Sequence, residues 1–440
     1  MTQSMHMANS FNPAAAVALP EADSELLERR QRVLGAPYRL FYQRPVHLVR
    51  GEGVLLYDAD GRDYLDAYNN VPVVGHSNPV VRARVSEQLS VLNTHTRYLN
   101  DAVVNYAERV TGLLGDGLDQ AVFVCTGSEA VDLALRVSRH VTGRRGVIAT
   151  AHAYHGTTEA AAAVSPSLGP NNPIPSEIEL VTAPDLAAEA PEQAAAAFAE
   201  RVHQAVAALR ARGHEPAALI VDSIMSSDGL QGTSPRVLGP AADAIRAHGG
   251  LYIADEVQPG FGRTGDWWGF PGQGVHPDLV VTGKPMGNGI PIAGLFGRPD
   301  VLDRFGRDVR YFNTFGGNPV SIAAADAVLD ELIGRRLLEN AKNLGASLLD
   351  ELRTLATEHD SVTGVRGSGL FFAIDISDGE GAPDPARAAR VVNEMRENRV
   401  LISASGPAAN VLKVRPPLVF GPEHAPRLLD ALDAALRATR

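Results

Sequence analysis

Five short apolar runs separated by amphipathic stretches restrict the fold of this chain more than any other feature. They read AVFVC (121–125), GVIAT (146–150), AALIVDS (217–223), LYIADEV (251–257) and DLVVTG (278–283). Strands that are apolar along almost their whole length are usually buried on both faces, and helices between such strands join them in parallel. The pattern therefore predicts an α/β fold around a largely parallel sheet.

The two ends of the chain predict a smaller second lobe. A long Ala-rich helix follows Pro319, and the short strands GLFFAID (369–375) and VLKVR (411–415) come after it. Near the N-terminus, LLYDADGRDYLD contains Asp60-Gly61, a turn signal between two strands, and we expect this hairpin to pack with the C-terminal lobe. The stretch 183–215 is an Ala- and Glu-rich amphipathic insertion and predicts, most simply, a solvent-facing helix.

Charge and cysteine content narrow the class of protein. The 440 residues carry a net charge of -11, which argues against a nucleic-acid or anionic-membrane surface. No apolar stretch approaches the length of a membrane span, and no secretory signal is visible. A single cysteine, Cys125, excludes an intramolecular disulfide and fits a reducing compartment. These features predict a cytoplasmic protein without nucleic-acid or membrane partners.

A glycine and a serine stand where a helix begins after the first apolar run. Thr126, Gly127 and Ser128 follow AVFVC, and a helical pattern continues from Glu129 to Val141. The first N–H groups of a helix have no partner within it and carry partial positive charge, while glycine lets an anion approach the backbone. The residues predict either a phosphate site or an ordinary capped helix after a turn.

Asp255 lies at the carboxyl end of a predicted buried strand, where open α/β sheets bind ligands. Side chains alternate along a strand, so only one of Asp255 and Glu256 is expected to face a ligand. A carboxylate in this place would keep a heteroaromatic nitrogen protonated. The alternative is a structural salt bridge at the end of the strand.

Lys284 directly follows the run DLVVTG and precedes Pro285, Gly287 and Gly289. A lysine between a strand end and a glycine-rich turn is partly sheltered from water. Desolvation lowers the pKa of its amine and favours Schiff-base chemistry. The alternative is a lysine exposed at the surface.

In this order, the three features resemble the fold-type I enzymes that use pyridoxal 5'-phosphate (PLP), specifically the class III aminotransferase family. The similarity runs from about residue 36 to the end, and its ordered set of blocks is highly specific: YDADGRDYLDAYNNVPVVGHSNP, CTGSEAVDLALR, AYHGTT, ADEVQPGFGRTG, TGKPMGNG, NTFGGNPVS and VLKVRPPL. It implies a large domain with a mainly parallel seven-stranded sheet, and a smaller α/β domain built from N- and C-terminal segments. The expected bounds are 1–35 for an N-terminal arm, 36–72 for the first part of the small domain, 73–310 for the large PLP-binding domain and 311–440 for the C-terminal small domain.

The resemblance also implies the roles of particular side chains. Lys284 would form the Schiff base with PLP and then move protons, and Asp255 would pair with the pyridine nitrogen. The other expected cofactor contacts are Gly127 and Ser128 at the phosphate, Val257 and Tyr154 on the two ring faces, Gln258 at the phenolic oxygen, and Thr314 at the phosphate of the neighbouring subunit's cofactor. The last contact implies a homodimer with shared active sites.

Within class III, YFNTFGGNPVS, GKPMGNG and NVLKVRPPL are most similar to the branch that contains alanine–glyoxylate aminotransferase 2 and the phosphoethanolamine phospholyases. Asp222-Ser223 stands where many members have Glu-Pro, and Lys413 where many glutamate-using members have arginine. Lysine lacks the bidentate fork with which arginine holds a carboxylate, so glutamate and 2-oxoglutarate are less expected as substrates. Pyruvate and alanine stay open.

Asn70, Lys413 and Arg415 are the predicted substrate-binding residues. An amide at Asn70 suits a polar head group. A phosphate group would be bound jointly by Arg39, Arg44, Lys413 and Arg415. The alternative is that some of these residues lie at the surface and that Arg415 forms a structural ion pair. No metal ligand set is predicted. His155 is expected to orient neighbouring groups rather than act as acid or base.

Two enzymatic reactions fit these residues. The expected one is amino-group transfer between an amine or amino acid and a keto acid through the Lys284 Schiff base. The alternative is a PLP-dependent phospholyase that eliminates phosphate from an amino-alcohol phosphate such as phosphoethanolamine. A non-catalytic, aminotransferase-like domain of a transcription regulator is disfavoured by the acidic charge and by Lys284.

Overall fold

Strands and helices alternate along the chain in a computed structural model that describes residues 9–12, 19–115, 117–186, 189–230 and 236–440. The strands are β1 (Leu48–Glu52), β2 (Leu55–Asp58), β3 (Asp63–Asp66), β4 (Gln120–Val124), β5 (Gly146–Thr150), β6 (Ile178–Val181), β7 (Pro216–Asp222), β8 (Leu251–Asp255), β9 (Leu279–Thr282), β10 (Ala293–Gly297), β11 (Val362–Ser368), β12 (Phe371–Ile376), β13 (Val400–Leu401), β14 (Ser403–Ser405) and β15 (Val411–Val414). The helices are α1 (Glu21–Leu34), α2 (Pro79–Val91), α3 (Asp101–Leu114), α4 (Gly127–Thr142), α5 (Glu159–Ala163), α6 (Pro191–Ala211), α7 (Gly239–Ala247), α8 (Pro299–Asp308), α9 (Pro319–Gly334), α10 (Leu337–Ala356), α11 (Pro385–Glu397) and α12 (Ala425–Ala438).

A seven-stranded sheet in the order β4-β10-β9-β8-β7-β5-β6 forms the centre of the molecule. Only β10 runs antiparallel to its neighbours. The predicted mainly parallel sheet is therefore confirmed. The apolar runs supply β4, β5, β7, β8 and β9, and every residue of β5, β7 and β9 is buried.

Helices cover both faces of this sheet. Residues of α4, α5 and α8 share one hydrophobic cluster with one set of strand side chains, and residues of α6 and α7 share another with the opposite set. The stretch predicted as a solvent-facing helix contains α6, and that prediction is wrong for one face. Phe198, Val202 and Leu209 are buried there because they recur at helical spacing and pack onto the sheet.

The second lobe contains two smaller sheets, β1-β2-β3-β13 and β11-β12-β15-β14. The predicted hairpin is present as β2 and β3, with Gly61 at a φ of 80° in the turn. Strand β13 pairs in parallel with β3, so the N- and C-terminal segments share one sheet, as expected.

The residue bounds proposed for the domains stay predictions. Helix α9, placed in the C-terminal domain by those bounds, packs on α2 and α3. Residues 1–8 and 13–18 of the predicted arm lie outside the described residues, and its later part forms α1, a helix with no buried residue.

Candidate active site

A small cavity of about 90 Å³ opens at the carboxyl ends of the central strands. Because β4, β5, β7, β8 and β9 all point the same way, the residues that follow them converge at one edge of the sheet. The cavity is lined by Gly127, Ser128, Tyr154, His155, Gly156, Asp222, Asp255, Val257, Gln258 and Lys284. Every predicted cofactor-binding residue except Thr314 is among them.

The start of α4 forms the floor of this cavity. Thr126 caps the helix: its Oγ1 accepts the Glu129 N–H at 3.1 Å, and the Glu129 carboxylate accepts the Cys125 and Thr126 N–H groups at 2.8 and 2.9 Å. This capping box leaves the backbone N–H groups of Gly127 and Ser128 to the cavity. The capped-helix and phosphate-site interpretations of the sequence are therefore compatible.

Lys284 enters the cavity from the end of β9. Its Nζ atom lies 5.8 Å from the centre of the Tyr154 ring. Burial lowers the pKa of the Lys284 amine, and the positive charge of Arg415 lowers it further, against the raising effect of Asp255 and Asp222. The amine therefore loses its proton more readily than a surface lysine does, as Schiff-base chemistry requires.

Asp255 faces the cavity from the end of β8, and His155 lies against it. Oδ2 of Asp255 is 2.6 Å from Nδ1 of His155, and Oδ1 accepts the Val257 N–H at 3.0 Å. Both side chains are buried, and Nε2 of His155 has no partner within the described residues. This contact agrees with the orienting role expected for His155.

The neighbouring acid, Glu256, points away from the cavity. Its carboxylate accepts hydrogen bonds from Ser223 Oγ at 2.6 Å and from the N–H groups of Gly269 and Phe270 at 2.8 and 2.9 Å. Burial raises the pKa of Glu256 to about 8, although these donors oppose the rise. The alternation predicted for the Asp255-Glu256 pair is therefore observed, and Glu256 anchors the loop that follows β8.

Two buried cations lie at the edge of the cavity in the second lobe. Lys413 is on β15, and burial with the charge of Arg415 lowers its pKa to about 7. The Arg415 guanidinium lies 5.0 Å from the Tyr68 ring, donates from Nε to the Tyr68 carbonyl at 2.7 Å, and donates from Nη1 to Gln258 Oε1. Of the other two basic residues considered for a phosphate, Arg44 forms an exposed ion pair with Glu397.

Asn70 lies behind the cavity rather than in its lining. Its Nδ2 donates to the Gln258 carbonyl at 3.1 Å, and its Oδ1 accepts from Arg263 Nε at 2.9 Å. Arg263 is fully buried and also donates to the carbonyls of Leu370 and Pro416. With both ends of its amide engaged, Asn70 supports Gln258, and its predicted contact with substrate stays a prediction.

Thr314 lies outside this cavity. It is exposed, next to Phe315, whose side chain is 69% exposed. Cys125, which precedes the start of α4, is half-buried. Trp268 is buried and packs against Phe261.

Sequence reasoning gave no site role to Asp222, Gly156, Ser226 or Arg263. Asp222 stood out only as a departure from Glu-Pro, and Arg263 only as part of the block ADEVQPGFGRTG. Neither position shows its contacts in the sequence, because their partners lie on other segments.

Neither a metal centre nor a membrane span is found in the part of the chain that the structure describes. No group of three or more His, Cys, Asp or Glu side chains there is arranged to hold a metal ion. None of the described helices combines the length and the apolar character needed to cross a bilayer.

Residues 41–436 match the family described as aminotransferase class-III. The chain belongs to the class III aminotransferase family. Class III aminotransferases are PLP-dependent transaminases, and this class III enzyme accordingly takes PLP as its cofactor.

Three relatives illustrate where this class III aminotransferase stands within the family. An alanine–glyoxylate aminotransferase 2-like protein of Drosophila melanogaster is 38% identical, over 92% of this chain and 85% of the relative. An ethanolamine-phosphate phospho-lyase homolog of Caenorhabditis elegans is 33% identical, over 97% and 96%. The solved structure of a phospholyase from Arthrobacter in complex with phosphoethanolamine is 43% identical, with a TM-score of 0.91 over 94% of this chain and 99% of that one.

The cavity of this class III aminotransferase fits PLP at two glycines. A Cβ atom at Gly127 would lie 3.0 Å from Cγ2 of Val257, and one at Gly156 would lie 2.5 Å from Oγ of Ser128. Side chains at these positions would close the space in front of the α4 N–H groups. The φ of 144° at Gly156 is one that other residues rarely adopt.

Proposed function

We propose that PLP binds in this cavity with its phosphate at the start of α4 and its ring between Val257 and Tyr154. Gly127 and Ser128 would hold the phosphate through their backbone N–H groups, because the capping box does not use them. When bound, PLP supplies an electron-withdrawing ring that stabilises negative charge at the carbon bearing the substrate amine.

Lys284 is proposed to bind the cofactor covalently and then to move the proton at the substrate carbon. The single observation that carries this role is a sheltered amine with a lowered pKa in the same cavity as a fixed carboxylate and an anion cradle. A neutral amine both attacks a carbonyl compound and accepts a proton.

Asp255 is proposed to hold the ring nitrogen in its protonated form. Its two oxygens are fixed by His155 and by the Val257 N–H, and a carboxylate oxygen has a further lone pair with which to accept a proton donor. Gln258 is proposed to contact the phenolic oxygen of the ring.

The reaction proposed is transfer of an amino group between an amine or amino acid and a keto acid. Lys413 and Arg415 are the buried cations nearest to the cavity, and they suit the anionic group of one substrate. Because the Lys413 ammonium is a point charge, a compact anion such as pyruvate fits better than an anion that needs the two parallel hydrogen bonds of an arginine.

A second candidate is elimination of phosphate from an amino-alcohol phosphate. The 43% identical relative is a phospholyase solved with phosphoethanolamine, and paired cations also suit a phosphate. In this reaction the proton leaves the carbon that bears the amine, the C–O bond to phosphate breaks, and phosphate leaves with the electron pair. Hydrolysis with water then yields an aldehyde and ammonia.

A homodimer is proposed to complete the site. Thr314 and Phe315 are exposed, as are Tyr98 and Leu99, at 66% and 103%, on the segment before α3. Large apolar side chains with so much exposed surface are typical of a surface covered in an assembly. Thr314 would then reach the phosphate held by the partner.

One experiment separates the two reactions. The purified, PLP-loaded protein is mixed separately with L-alanine, a simple primary amine and phosphoethanolamine, and its absorbance, released phosphate and released ammonia are followed. Accumulation of pyridoxamine phosphate without phosphate release supports the transaminase. Release of phosphate and ammonia with the original absorbance restored would make the protein a phospholyase, and no change with any amine would overturn both.

A further inference from the structure

Four buried side chains form a continuous hydrogen-bonded network beside the cavity, which two of them, Asp222 and Gln258, line. Arg415 Nη1 donates to Gln258 Oε1, Gln258 Nε2 donates to Ser226 Oγ, and Ser226 Oγ donates to Asp222 Oδ2. Ser226 is completely buried, and the other three side chains belong to residues less than a tenth exposed. This hydrogen-bonded network joins the loops after β7 and β8 to the second lobe.

Arg415 fixes the direction of this hydrogen-bonded network at Gln258. Arginine has donors and no acceptor, so Gln258 must turn its oxygen to Arg415. When Asp222 is ionised it only accepts, so the single Ser226 proton goes to Asp222; burial and the charge of Asp255 raise the pKa of this carboxyl, and its hydrogen bonds from Ser226 and Ile224 oppose the rise. The Ser226 oxygen then has its lone pairs free to accept from the amide nitrogen of Gln258.

This direction determines what Gln258 offers to the cavity that it lines. The amide nitrogen of Gln258 has two protons, and the hydrogen bond to Ser226 uses one of them. The second is available to a ligand in the cavity. If the amide turned over, its NH₂ group would face the Arg415 guanidinium, and two donors would oppose each other.

We propose that Ser226 is a positioning residue whose hydroxyl holds the Gln258 amide with its nitrogen, rather than its oxygen, turned to the cavity. The proposal rests on the proposed binding of PLP there, with Gln258 at the phenolic oxygen. Ser226 is the informative link because the others have further tasks. Asp222 also accepts the Ile224 and Ser226 N–H groups, and Arg415 also holds the Tyr68 carbonyl.

The test is a pH titration of the visible absorbance of the PLP-loaded protein without substrate. An N–H group that donates to the phenolic oxygen of PLP favours the form of the bound cofactor that has lost a proton. Loss of this donor therefore raises the pH midpoint of the absorbance titration. We expect Ser226→Ala to raise the midpoint by about half a unit to one unit, as the loss of one hydrogen bond does. Ser226→Thr keeps the hydroxyl and should keep the wild-type midpoint. Ser227→Ala is the matched control, because Ser227 is the next residue along the sequence and is not part of the hydrogen-bonded network.

Gln258→Glu supplies a second, independent arm. It preserves the acceptor for Arg415 and removes the donor facing the cavity, so the midpoint should rise at least as far as in Ser226→Ala. If Ser226 acts through Gln258, the double variant should match Gln258→Glu alone. Additive shifts, or a lower melting temperature with an unchanged midpoint in Ser226→Ala, would overturn the proposal. Because no substrate is present, these outcomes are independent of whether the enzyme transaminates or eliminates phosphate.

Discussion

Nδ1 of His155 lies 2.6 Å from Oδ2 of Asp255, and both residues are buried at the inner end of the cavity. The other oxygen of Asp255 accepts the Val257 N–H at 3.0 Å. With both oxygens held, the carboxylate has little freedom to rotate away from a ligand. Its neighbours thus fix the direction in which it presents charge.

His155→Ala should lower kcat by roughly ten- to a hundredfold, the effect of losing a hydrogen bond to a charged group. His155→Asn retains a donor on a shorter side chain and should lose less. Steady-state rates at saturating substrate measure both variants. Equal losses in the two would contradict an orienting role.

Asp255→Asn should slow proton removal by roughly a hundredfold or more while PLP stays bound, because the amide no longer keeps the ring nitrogen charged. Single-turnover absorbance changes after mixing with amine measure this step. The same substitution at Asp243, on the exposed part of α7, is the control. A near-normal rate would mean that another group holds the nitrogen.

Lys284→Ala should abolish turnover and the absorbance change on adding amine, because Lys284 is the sheltered amine in the cavity. Lys342→Ala removes an exposed lysine on α10 and should behave as wild type. Spectra and product assays are recorded side by side. Substantial residual activity in Lys284→Ala would refute the assignment.

Lys413 should make the binding of an anionic substrate depend on pH near neutrality. Its pKa is lowered to about 7, so the side chain is charged below that pH and neutral above it. KM for an anionic substrate should therefore rise with pH through about 7, by roughly tenfold. KM for a neutral-tailed amine serves as the internal control.

Lys413→Arg should flatten this pH profile, because arginine stays charged throughout the range. KM measured across the range from pH 6 to 9 tests the idea. A profile that survives the substitution would assign the titration to another group, such as Lys284.

Above pH 8, where the Glu256 carboxyl is ionised, Glu256→Gln should destabilise the protein by about 1–3 kcal/mol, because an amide nitrogen would replace an oxygen that accepts from a backbone N–H. The carboxylate is surrounded by donors, so neither orientation of the amide suits it. Thermal melts compare this variant with Glu380→Gln at an exposed position. A melting temperature equal to that of the control would show that the loop tolerates the exchange.

Much of the central sheet can be predicted from sequence because burial on both faces leaves a continuous apolar signal, as in GVIAT of β5. Strands β6 and β10 lack that signal. Strand β10 reads AGLFG, whose two glycines are poor strand formers, and the short strand β6 is at the edge. The burial of one face of α6 was missed because the Ala- and Glu-rich composition of the stretch was given more weight than the helical spacing of Phe198, Val202 and Leu209.

In the site, the residues next to strand ends were predictable, because the carboxyl edge of a parallel sheet is where ligands bind. The contacts between distant segments were not. Gln258 and Arg415 are 157 positions apart, and Arg263 and Asn70 are 193 apart. No local pattern encodes such pairs, so the contacts of the Asn70 amide with Gln258 and Arg263 could not be predicted.

Arg263 also bears on the order in which the protein is completed during synthesis. The strands of the central sheet all lie before residue 298, but the carbonyls that receive Arg263 belong to Leu370 and Pro416. A nascent chain therefore contains every residue that lines the cavity well before it contains the carbonyls that bind this buried cation. Lys413 and Arg415 also come only with the last strand, β15, and directly after it, so a chain released early would lack both of the cations beside the site.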